Sequence, residues 1–303
     1  MFCASGTEAV NLALLGAGRR LPPGRSLVTW AAEHQAVLAA ARQLQLEGRA
    51  VHVLPVDGRG FAEAGRLPAD AGLVSIGLAN NELGTLQPVA EVAAEARRLG
   101  ALVHLDCCQG PRWTAPPLQR ADLASFSGHK LGAGVGGLLF ARREVPLQPL
   151  QLGGPQEWGR RAGREDVPAA AAVATALEVC GRERGERSLA ARPLAARLQE
   201  ALAESGGRPT GGEPRLPNFA TAAFPDRRGE DLLLALDLAG VAASSGSACA
   251  SGSLDPSHVL LALGFSLEES LGSLRLTVGY ETTVEEVERM FHVLQSLPVH
   301  AVR

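Results

Sequence analysis

The sequence predicts an α/β protein, with a large domain built on a doubly wound, mostly parallel β-sheet and a smaller C-terminal α+β domain. Through the first half of the chain, short apolar runs alternate with longer helical patterns, which is typical of parallel strands joined by helices. This order changes after residues 143–166, a stretch rich in Pro, Gly and Arg that precedes a long Ala-rich helix. We therefore expect a large domain at residues 1–185 and a small domain at residues 186–303.

Apolar patterning predicts the individual elements in order. Short apolar runs, each bounded by turn-forming residues, predict buried strands at residues 26–30, 50–54, 72–79, 101–106 and 136–142, with one more just before residue 127. Helical patterns extend from Gly6 to Leu15, from His34 to Glu47 and from Val89 to Leu99. Beyond residue 218 the predicted order is strand, helix, short strand, loop, helix, strand and helix. Parallel sheets bind ligands at the carboxyl ends of their strands, so the residues that follow these strands are candidates for a site.

Composition argues against several functional classes. A net charge of −3 over 303 residues gives no reason to expect a nucleic acid or an anionic membrane as partner. No apolar run approaches the ~20 residues of a membrane span, and Glu8 interrupts an N-terminal stretch that has no basic segment, unlike a signal peptide. Five cysteines without a C-x-x-C pair predict neither a disulfide framework nor a metal site. We expect a cytoplasmic protein.

Lys130 is the only lysine among the 29 basic Lys and Arg residues of the chain. Arginine serves equally well for solubility or a surface ion pair, but it does not lose its proton near neutral pH. Lysine can do so, and can then form a Schiff base with a carbonyl group. From the residues alone, the single lysine is either a compositional accident or a group kept for covalent chemistry.

Other polar residues follow predicted strands or begin helices. Gly6 and Thr7 begin the first helix, where backbone N–H groups favour a phosphate, although these residue types are also ordinary N-caps. His34 could stack on a flat ring or serve a structural role. The other candidates are Asn81 in the NNELG turn, Asp106 and Gln109 after a strand, and Ser127 and His129 beside Lys130. Pyridoxal phosphate needs such a set: a phosphate cradle, a stacking ring, a carboxylate, an amide and an amine.

The motifs SGTE, EH, NNELG, LD-x-x-Q, SGHK, SSGSAC and LRLTVG occur in an order that closely resembles the cysteine desulfurase family. These are fold-type I, class V aminotransferase-like enzymes that use pyridoxal 5′-phosphate. The resemblance extends from Phe2 to about Leu294. It implies the fold-type I architecture, pyridoxal phosphate as cofactor and L-cysteine as substrate.

The resemblance also implies a role for each candidate. Lys130 would form the Schiff base with the cofactor, and His34 would stack on its ring and help to move protons. Asp106 would pair with the pyridine nitrogen and Gln109 with the phenolic oxygen. The cofactor phosphate would be bound by Gly6, Thr7, Ser127 and His129. The substrate carboxylate would be bound by Asn81 and by Arg275, which lies in the LRLTVG motif.

Cys249 lies in the stretch SSGSACASGSLDP (residues 244–256), whose small residues favour mobility over packing. A structural cysteine usually lies in an apolar periodic segment, as Cys180 does, yet composition alone does not decide whether Cys249 is reactive. The resemblance implies that Cys249 takes the substrate sulfur as a persulfide, that alanine is released, and that an acceptor protein receives the sulfur for iron–sulfur cluster or thio-RNA biosynthesis. It also implies a homodimer.

Three features depart from the family. An N-terminal segment that precedes the phosphate-binding helix in the family is missing here, so part of the cofactor cover is expected to be absent. Arg164 stands where the family usually has a threonine that reaches the cofactor phosphate of the partner subunit. Cys107 and Cys108 replace small or hydroxyl residues, and Cys107 is expected to lie against the cofactor ring.

Two alternative functions therefore stay open. One is a catalytically poor paralogue that acts as a binding partner, and the other is a selenocysteine or cystine lyase.

Overall fold

The structure is a computed structural model that describes residues 1–246 and 255–296. These residues divide into two compact units. The first contains Met1–Pro55, Ala62–Asn80 and Gln87–Arg184, and the second contains Val56–Phe61, Asn81–Leu86 and the chain from Gly185 onward. Two short segments early in the sequence thus belong to the second unit, although the sequence analysis assigned them to the large domain.

Seven strands form the sheet of the first unit: β1 Phe2–Cys3, β2 Ser26–Trp30, β3 Val51–Leu54, β4 Ala71–Gly77, β5 Leu102–Asp106, β6 Leu123–Ser127 and β7 Gly137–Ala141. Their order is β1-β7-β6-β5-β4-β2-β3. Strands β2 to β6 run parallel, whereas β7 is antiparallel to β6 and β1 is antiparallel to β7. The predicted mostly parallel α/β sheet is confirmed. Strand β1, only two residues long, was not predicted.

The first unit contains helices α1 Gly6–Gly18, α2 Gln35–Leu46, α3 Val89–Arg98 and α4 Gly128–Leu131, and the longer helix α5 Val167–Glu204 begins in it. Helix α1 is rich in Ala, Leu and Gly and is buried on almost every side, as expected for a helix without a polar face. It contributes more residues than any other element to a core that also includes Val37 and Leu44 of α2. Within the described residues, no helix, including the 38-residue α5, is apolar enough over sufficient length to cross a lipid bilayer.

Three strands of the second unit, β8 Arg208–Pro209, β9 Phe219–Ala223 and β10 Ser273–Thr277, form an antiparallel sheet in the order β10-β9-β8. Helices α6 Gly229–Leu238, α7 His258–Ala262, α8 Leu267–Leu271 and α9 Val284–Ser296 accompany the end of α5. Arg197 of α5 donates to Glu288 of α9 at 2.8 Å and stacks on Phe291. The short strand predicted after α6 is a single bridge between Ser244 and Arg275.

The segment Asn81–Leu86 joins the second unit through main-chain hydrogen bonds. Leu86 N–H donates to the Pro214 carbonyl at 2.9 Å, and Leu216 N–H donates to the Gly84 carbonyl at 2.8 Å. Gly84 has φ 74°, and a Cβ there would lie 2.6 Å from the Phe219 ring, so glycine is required. These bonds place Asn81–Leu86, which includes all of the NNELG turn except Asn80, in the same unit as Arg275.

Candidate active site

Lys130 lies in a tight helical turn at the carboxyl end of β6. The strand ends at Ser127, which is the N-cap of the four-residue helix α4. Gly128 is required in this turn because a Cβ on it would lie 2.0 Å from the Val135 carbonyl oxygen. The Gly128 N–H donates to the Gly136 carbonyl at 2.8 Å and fastens the turn to the loop before β7. The SGHK turn therefore holds the half-buried Lys130 at the carboxyl edge of the sheet, where the sequence predicts a site.

The N-terminus of α1 lies beside the lysine turn. A Cβ on Gly6 would come within 2.9 Å of Ser127 Cβ, so a glycine allows this close approach. Thr7 is exposed in the first turn of the helix, and Ser127 Oγ lies 3.0 Å from His129 Nδ1. Main-chain N–H groups at the positive end of the helix and these polar side chains together suit an anion.

Asp106 ends β5, next to β6, and is 7% exposed. Its Oδ1 accepts hydrogen bonds from the Cys108 N–H at 3.0 Å and from Ser125 Oγ at 2.8 Å. Burial alone would raise the pKa of the Asp106 carboxyl, but His104 and the hydrogen bonds outweigh it and hold the pKa below its ordinary value of 3.8. A buried negative charge thus lies at the sheet edge that also carries Lys130.

His34 is the N-cap of α2, and its Nδ1 accepts a hydrogen bond from the Ala36 N–H at 3.1 Å. In the neutral ring the proton therefore sits on Nε2, where His34 presents a donor. A proton taken up by the ring would enter at Nδ1 and break the helix cap. The structure thus gives the predicted histidine one tautomer and a defined direction for hydrogen bonding.

Of the two adjacent cysteines, Cys108 is the one beside the lysine turn. Its Sγ would lie 2.6 Å from a Cβ on Gly6, and the Lys130 charge acts on its thiol. Cys107 is 1% exposed, and its expected position against the cofactor ring stays a prediction. Burial raises the pKa of both thiols well above the ordinary value, so both stay protonated at neutral pH. Gln109 follows on the same loop and is half-buried.

Arg275 and Asn81 meet within the second unit. Arg275, on β10, donates from Nη1 to the Asn81 carbonyl oxygen at 2.6 Å and from Nη2 to Ser244 Oγ at 3.0 Å. Asn81 therefore meets the guanidinium through its main chain. The two residues expected to hold a substrate carboxylate are neighbours in this unit.

Cys249 lies outside the described residues, but both flanks of its segment are attached to the second unit. Before it, Gly246 N–H donates to Ser273 Oγ at 3.0 Å, and after it, Ser257 donates to the Glu82 carboxyl. Burial raises the pKa of Glu82 to about 7, against the opposing effects of the Ser257 hydrogen bond and the Arg275 charge. Glu82, in the NNELG turn, is a buried acidic group that the sequence analysis did not single out.

Comparison with known proteins identifies the family. The aminotransferase class-V family model matches residues 1–290. A cysteine desulfurase of Gluconacetobacter diazotrophicus is 41% identical over 98% of this chain and 77% of its own length, and the cysteine desulfurase IscS 1 of Archaeoglobus fulgidus is 38% identical over 97% and 79%. The chain belongs to the class-V aminotransferase family, among the cysteine desulfurases. A solved NifS-like protein matches with a TM-score of 0.87 at 31% identity, over 97% of this chain and 81% of its own, which agrees with the predicted fold-type I architecture.

Cysteine desulfurases of the class-V family depend on pyridoxal phosphate, and the first unit fits that cofactor. The N-terminus of α1 lies against Ser127 at Gly6, Ser127 Oγ lies 3.0 Å from His129 Nδ1, and Thr7 in the first turn is exposed. A buried carboxylate, Asp106, can face a cationic ring nitrogen, and Lys130 supplies the amine. All of these groups belong to the first compact unit.

Glu33 is a second buried acidic group that the sequence analysis did not single out, although it stands in the EH motif beside His34. Its Oε1 accepts a hydrogen bond from the Gly77 N–H at 2.8 Å. Burial raises the pKa of Glu33 to about 8, the Gly77 hydrogen bond opposes that shift, and the Asp106 charge adds to it. Glu33 is therefore mostly protonated at neutral pH.

Glu33→Gln should flatten the pH dependence of unfolding. Because Glu33 keeps its proton in the folded protein up to about pH 8 but loses it in the unfolded chain near 4.5, wild-type stability falls as the pH rises through that window. Glutamine keeps the acceptor for Gly77 and carries no charge. Urea unfolding of the cofactor-free proteins should show the variant gaining a few kcal/mol over wild type between pH 5 and pH 8, since each pH unit contributes at most about 1.4 kcal/mol. Parallel pH profiles would contradict this account.

Proposed function

We propose that the protein converts L-cysteine to L-alanine and keeps the substrate sulfur as a persulfide on Cys249. The proposal depends on three features that belong to one compact unit. They are the only lysine of the chain, the N-terminus of α1 with its anion-binding N–H groups, and the buried Asp106 carboxylate. Membership among the cysteine desulfurases supplies the reaction. The relatives give no support to a selenocysteine or cystine lyase, or to a paralogue that only binds partners.

The cofactor, when bound, supplies an aldehyde for amine exchange and an electron-withdrawing ring that acidifies the substrate Cα–H. Lys130 would contribute the amine that holds the cofactor. Asp106 would hold the ring nitrogen in its cationic form, and Gln109 would bind the phenolic oxygen. His34 would lie against the ring, with Nε2 as its hydrogen-bond donor. Gly6, Thr7, Ser127 and His129 would hold the phosphate.

Arg275 and Asn81 orient the substrate through its carboxylate. A guanidinium suits this task because it binds a carboxylate through two parallel hydrogen bonds. The hydrogen bonds from Arg275 to the Asn81 carbonyl and to Ser244 hold its side chain in place. Substrate orientation thereby depends on residues that flank the cysteine segment.

Cys249 accepts the sulfur. Its thiolate attacks the substrate sulfur, an S–S bond forms, and the C–S bond breaks with its electron pair passing to the carbon fragment. That fragment takes up a proton and leaves as alanine, so cysteine and one protein thiol become alanine and one protein persulfide. We further propose that an acceptor protein for iron–sulfur cluster or thio-RNA biosynthesis removes the sulfur. A reducing, cytoplasmic setting suits this chemistry, and the described cysteines are free thiols.

The function is tested by supplying pyridoxal phosphate and L-cysteine to the purified protein with a thiol reductant. We expect a yellow protein that releases alanine and sulfide in equal amounts over many turnovers. Selenocysteine and cystine, offered separately, should be used less efficiently than cysteine. A cofactor-loaded protein that releases no alanine would contradict the proposed function.

We also propose a homodimer. Within residues 152–167, Leu152 is 80% exposed, Trp158 is 85% exposed and Val167 is 68% exposed, which is unusual for large apolar side chains close together in sequence. Glu157 and Trp158 both have positive φ, at 47° and 58°, a strained conformation that clusters at functional sites. Arg164 lies in the same segment, where a guanidinium could pair with the partner subunit's cofactor phosphate.

Trp158→Asp should weaken dimerisation by about tenfold or more, because an aromatic side chain at an interface commonly contributes this much. Leu46→Asp, at a residue that is 75% exposed on α2, is the matched control and should leave the dimer unchanged. Analytical ultracentrifugation measures both dissociation constants. A wild-type protein that sediments as a monomer and still binds the cofactor fully would refute the dimer.

A further inference from the structure

Three buried polar side chains connect the interior of the first unit to Asp106. Ser75 on β4, His104 on β5 and Ser125 on β6 are each 0% exposed. Ser75 Oγ lies 2.9 Å from His104 Nδ1, and His104 Nε2 lies 3.2 Å from Ser125 Oγ. Ser125 Oγ in turn lies 2.8 Å from Asp106 Oδ1. These groups form one continuous hydrogen-bonded chain across three neighbouring strands.

While Asp106 is ionised, the hydrogen bonds that connect Ser75, His104, Ser125 and Asp106 can have only one set of donors and acceptors. A carboxylate only accepts, so the Ser125 hydroxyl gives its one proton to Asp106. Ser125 Oγ must then accept from His104, which places the imidazole proton on Nε2. Nδ1 of the neutral ring is left to accept from the Ser75 hydroxyl. Every hydrogen bond of the chain therefore points towards Asp106.

We propose that Ser75, His104 and Ser125 form a hydrogen-bond relay that positions the Asp106 carboxylate and stabilises its negative charge. The inference rests on the proposed function, in which Asp106 pairs with a cationic ring nitrogen. Hydrogen bonds to a charged acceptor are roughly twice as strong as those between neutral groups, and a buried polarised chain strengthens them further. The three relay members are positioning residues, because they act on the reaction only through Asp106.

The protonation state of His104 agrees with this arrangement. Burial lowers the pKa of His104 to about 4, against the opposing charge of Asp106, so the ring is neutral at physiological pH. A neutral ring supplies the single N–H that the relay requires.

Several titratable groups face Asp106 or its immediate surroundings from neighbouring elements. Glu33, from the loop after β2, has a raised pKa and is mostly protonated at neutral pH. Cys107 and Cys108, directly after β5, are neutral thiols, and Lys130 on α4 acts on the Cys108 thiol. The buried neighbours Glu33, Cys107 and Cys108 do not supply positive charge. The pKa of Asp106 is held down by the His104 ring, which gains a charge only at acid pH, and by the hydrogen bonds from Cys108 and Ser125.

The arrangement can be tested without the cofactor, by ¹⁵N NMR of the histidine rings in the cofactor-free wild-type protein. Loss of one set of ring signals in His104→Gln assigns His104. We expect a neutral ring protonated on Nε2 from about pH 6 to about pH 8. A ring protonated on Nδ1, or one that titrates near its ordinary pKa of 6.5, overturns the relay.

Ser125→Ala tests the effect on Asp106. Loss of a hydrogen bond to a charged group should weaken pyridoxal phosphate binding by about tenfold or more and move the acid limb of the binding profile to higher pH. Ser26→Ala removes an equally buried hydroxyl on β2, which donates to the Asp70 carbonyl, and should change neither the affinity nor the pH profile. Weakened binding with an unmoved pH limb in Ser125→Ala would indicate a merely structural role and overturn the proposal.

Variants of His104 provide the second comparison. His104→Leu should reproduce the shifted pH limb, whereas His104→Gln, whose amide can both donate and accept, should recover part of the lost affinity. Equal affinity and equal pH profiles in the two variants overturn the relay.

Failure of the relay and failure of the proposed function give different results. An Nε2-protonated His104 ring in a protein without desulfurase activity supports the relay and contradicts only the proposed function. An active enzyme with a titrating His104 contradicts the relay alone.

Discussion

Lys130→Arg should remove nearly all turnover while preserving the fold and the net charge. Arginine keeps the positive charge but does not give up its proton to form the covalent link with the cofactor, nor does it move a proton at the substrate. We expect alanine release to fall by about a hundredfold to ten-thousandfold, the range that a positioned acid–base group contributes. The absorption band of the covalently held cofactor should be lost as well.

Borohydride reduction provides an independent readout for Lys130. In the wild type it should attach the cofactor permanently to the peptide that contains Lys130, as peptide mapping by mass spectrometry can establish. A double variant, K130R/R143K, restores one lysine at an exposed position and should remain inactive and unlabelled. A Lys130→Arg protein that stays yellow after reduction and dialysis, with normal activity, would refute the assignment.

Cys249→Ser should separate substrate activation from sulfur removal. Acidification of the substrate Cα–H needs the cofactor, Lys130 and Asp106, whereas removal of sulfur needs a thiolate that attacks it. The variant should therefore stay yellow and change its absorption spectrum when L-cysteine is added, but its alanine release should fall by at least about a hundredfold.

The other cysteines are the controls for Cys249. Cys3, Cys107 and Cys180 are buried thiols, and burial raises the pKa of Cys3 to about 12. Their replacement by alanine should leave turnover in place, although Cys107 packs close to Asp106. Cys108→Ala should alter the cofactor spectrum, because its thiol lies beside Gly6 and Lys130, but should not end turnover. Loss of sulfur transfer in Cys108→Ala, with normal turnover in Cys249→Ser, would mean that the reactive thiol is Cys108.

Local apolar patterning predicted much of the first unit. Strand β2 has the predicted bounds, and β3, β5 and β7 differ from theirs by one residue at one or both ends. Strand β4 ends at Gly77 rather than residue 79, since the chain turns there towards the NNELG segment. Assignment of that segment to the second unit depends on contacts such as Gly84 with Phe219, which no local pattern reveals.

The candidate site residues can be read from the sequence more easily than the hydrogen bonds among them. A single lysine in an arginine-rich chain and a carboxylate at a strand end are visible in the sequence. The relay behind Asp106 is not, because its hydrogen bonds join residues 29, 21 and 19 positions apart on three strands. The tautomer of His34 likewise depends on the first turn of α2. Sheet register and helix capping, rather than residue type, determine these features.

The central claim is that Cys249 carries the sulfur, and persulfide mapping after a single turnover tests it most directly. The cofactor-loaded wild-type protein is mixed with one equivalent of L-cysteine without reductant, alkylated, digested and examined by mass spectrometry, while alanine is measured in parallel. We predict one additional sulfur atom on the Cys249 peptide, in an amount equal to the alanine released. A persulfide on Cys107 or Cys108, or alanine release without any protein persulfide, would contradict the account.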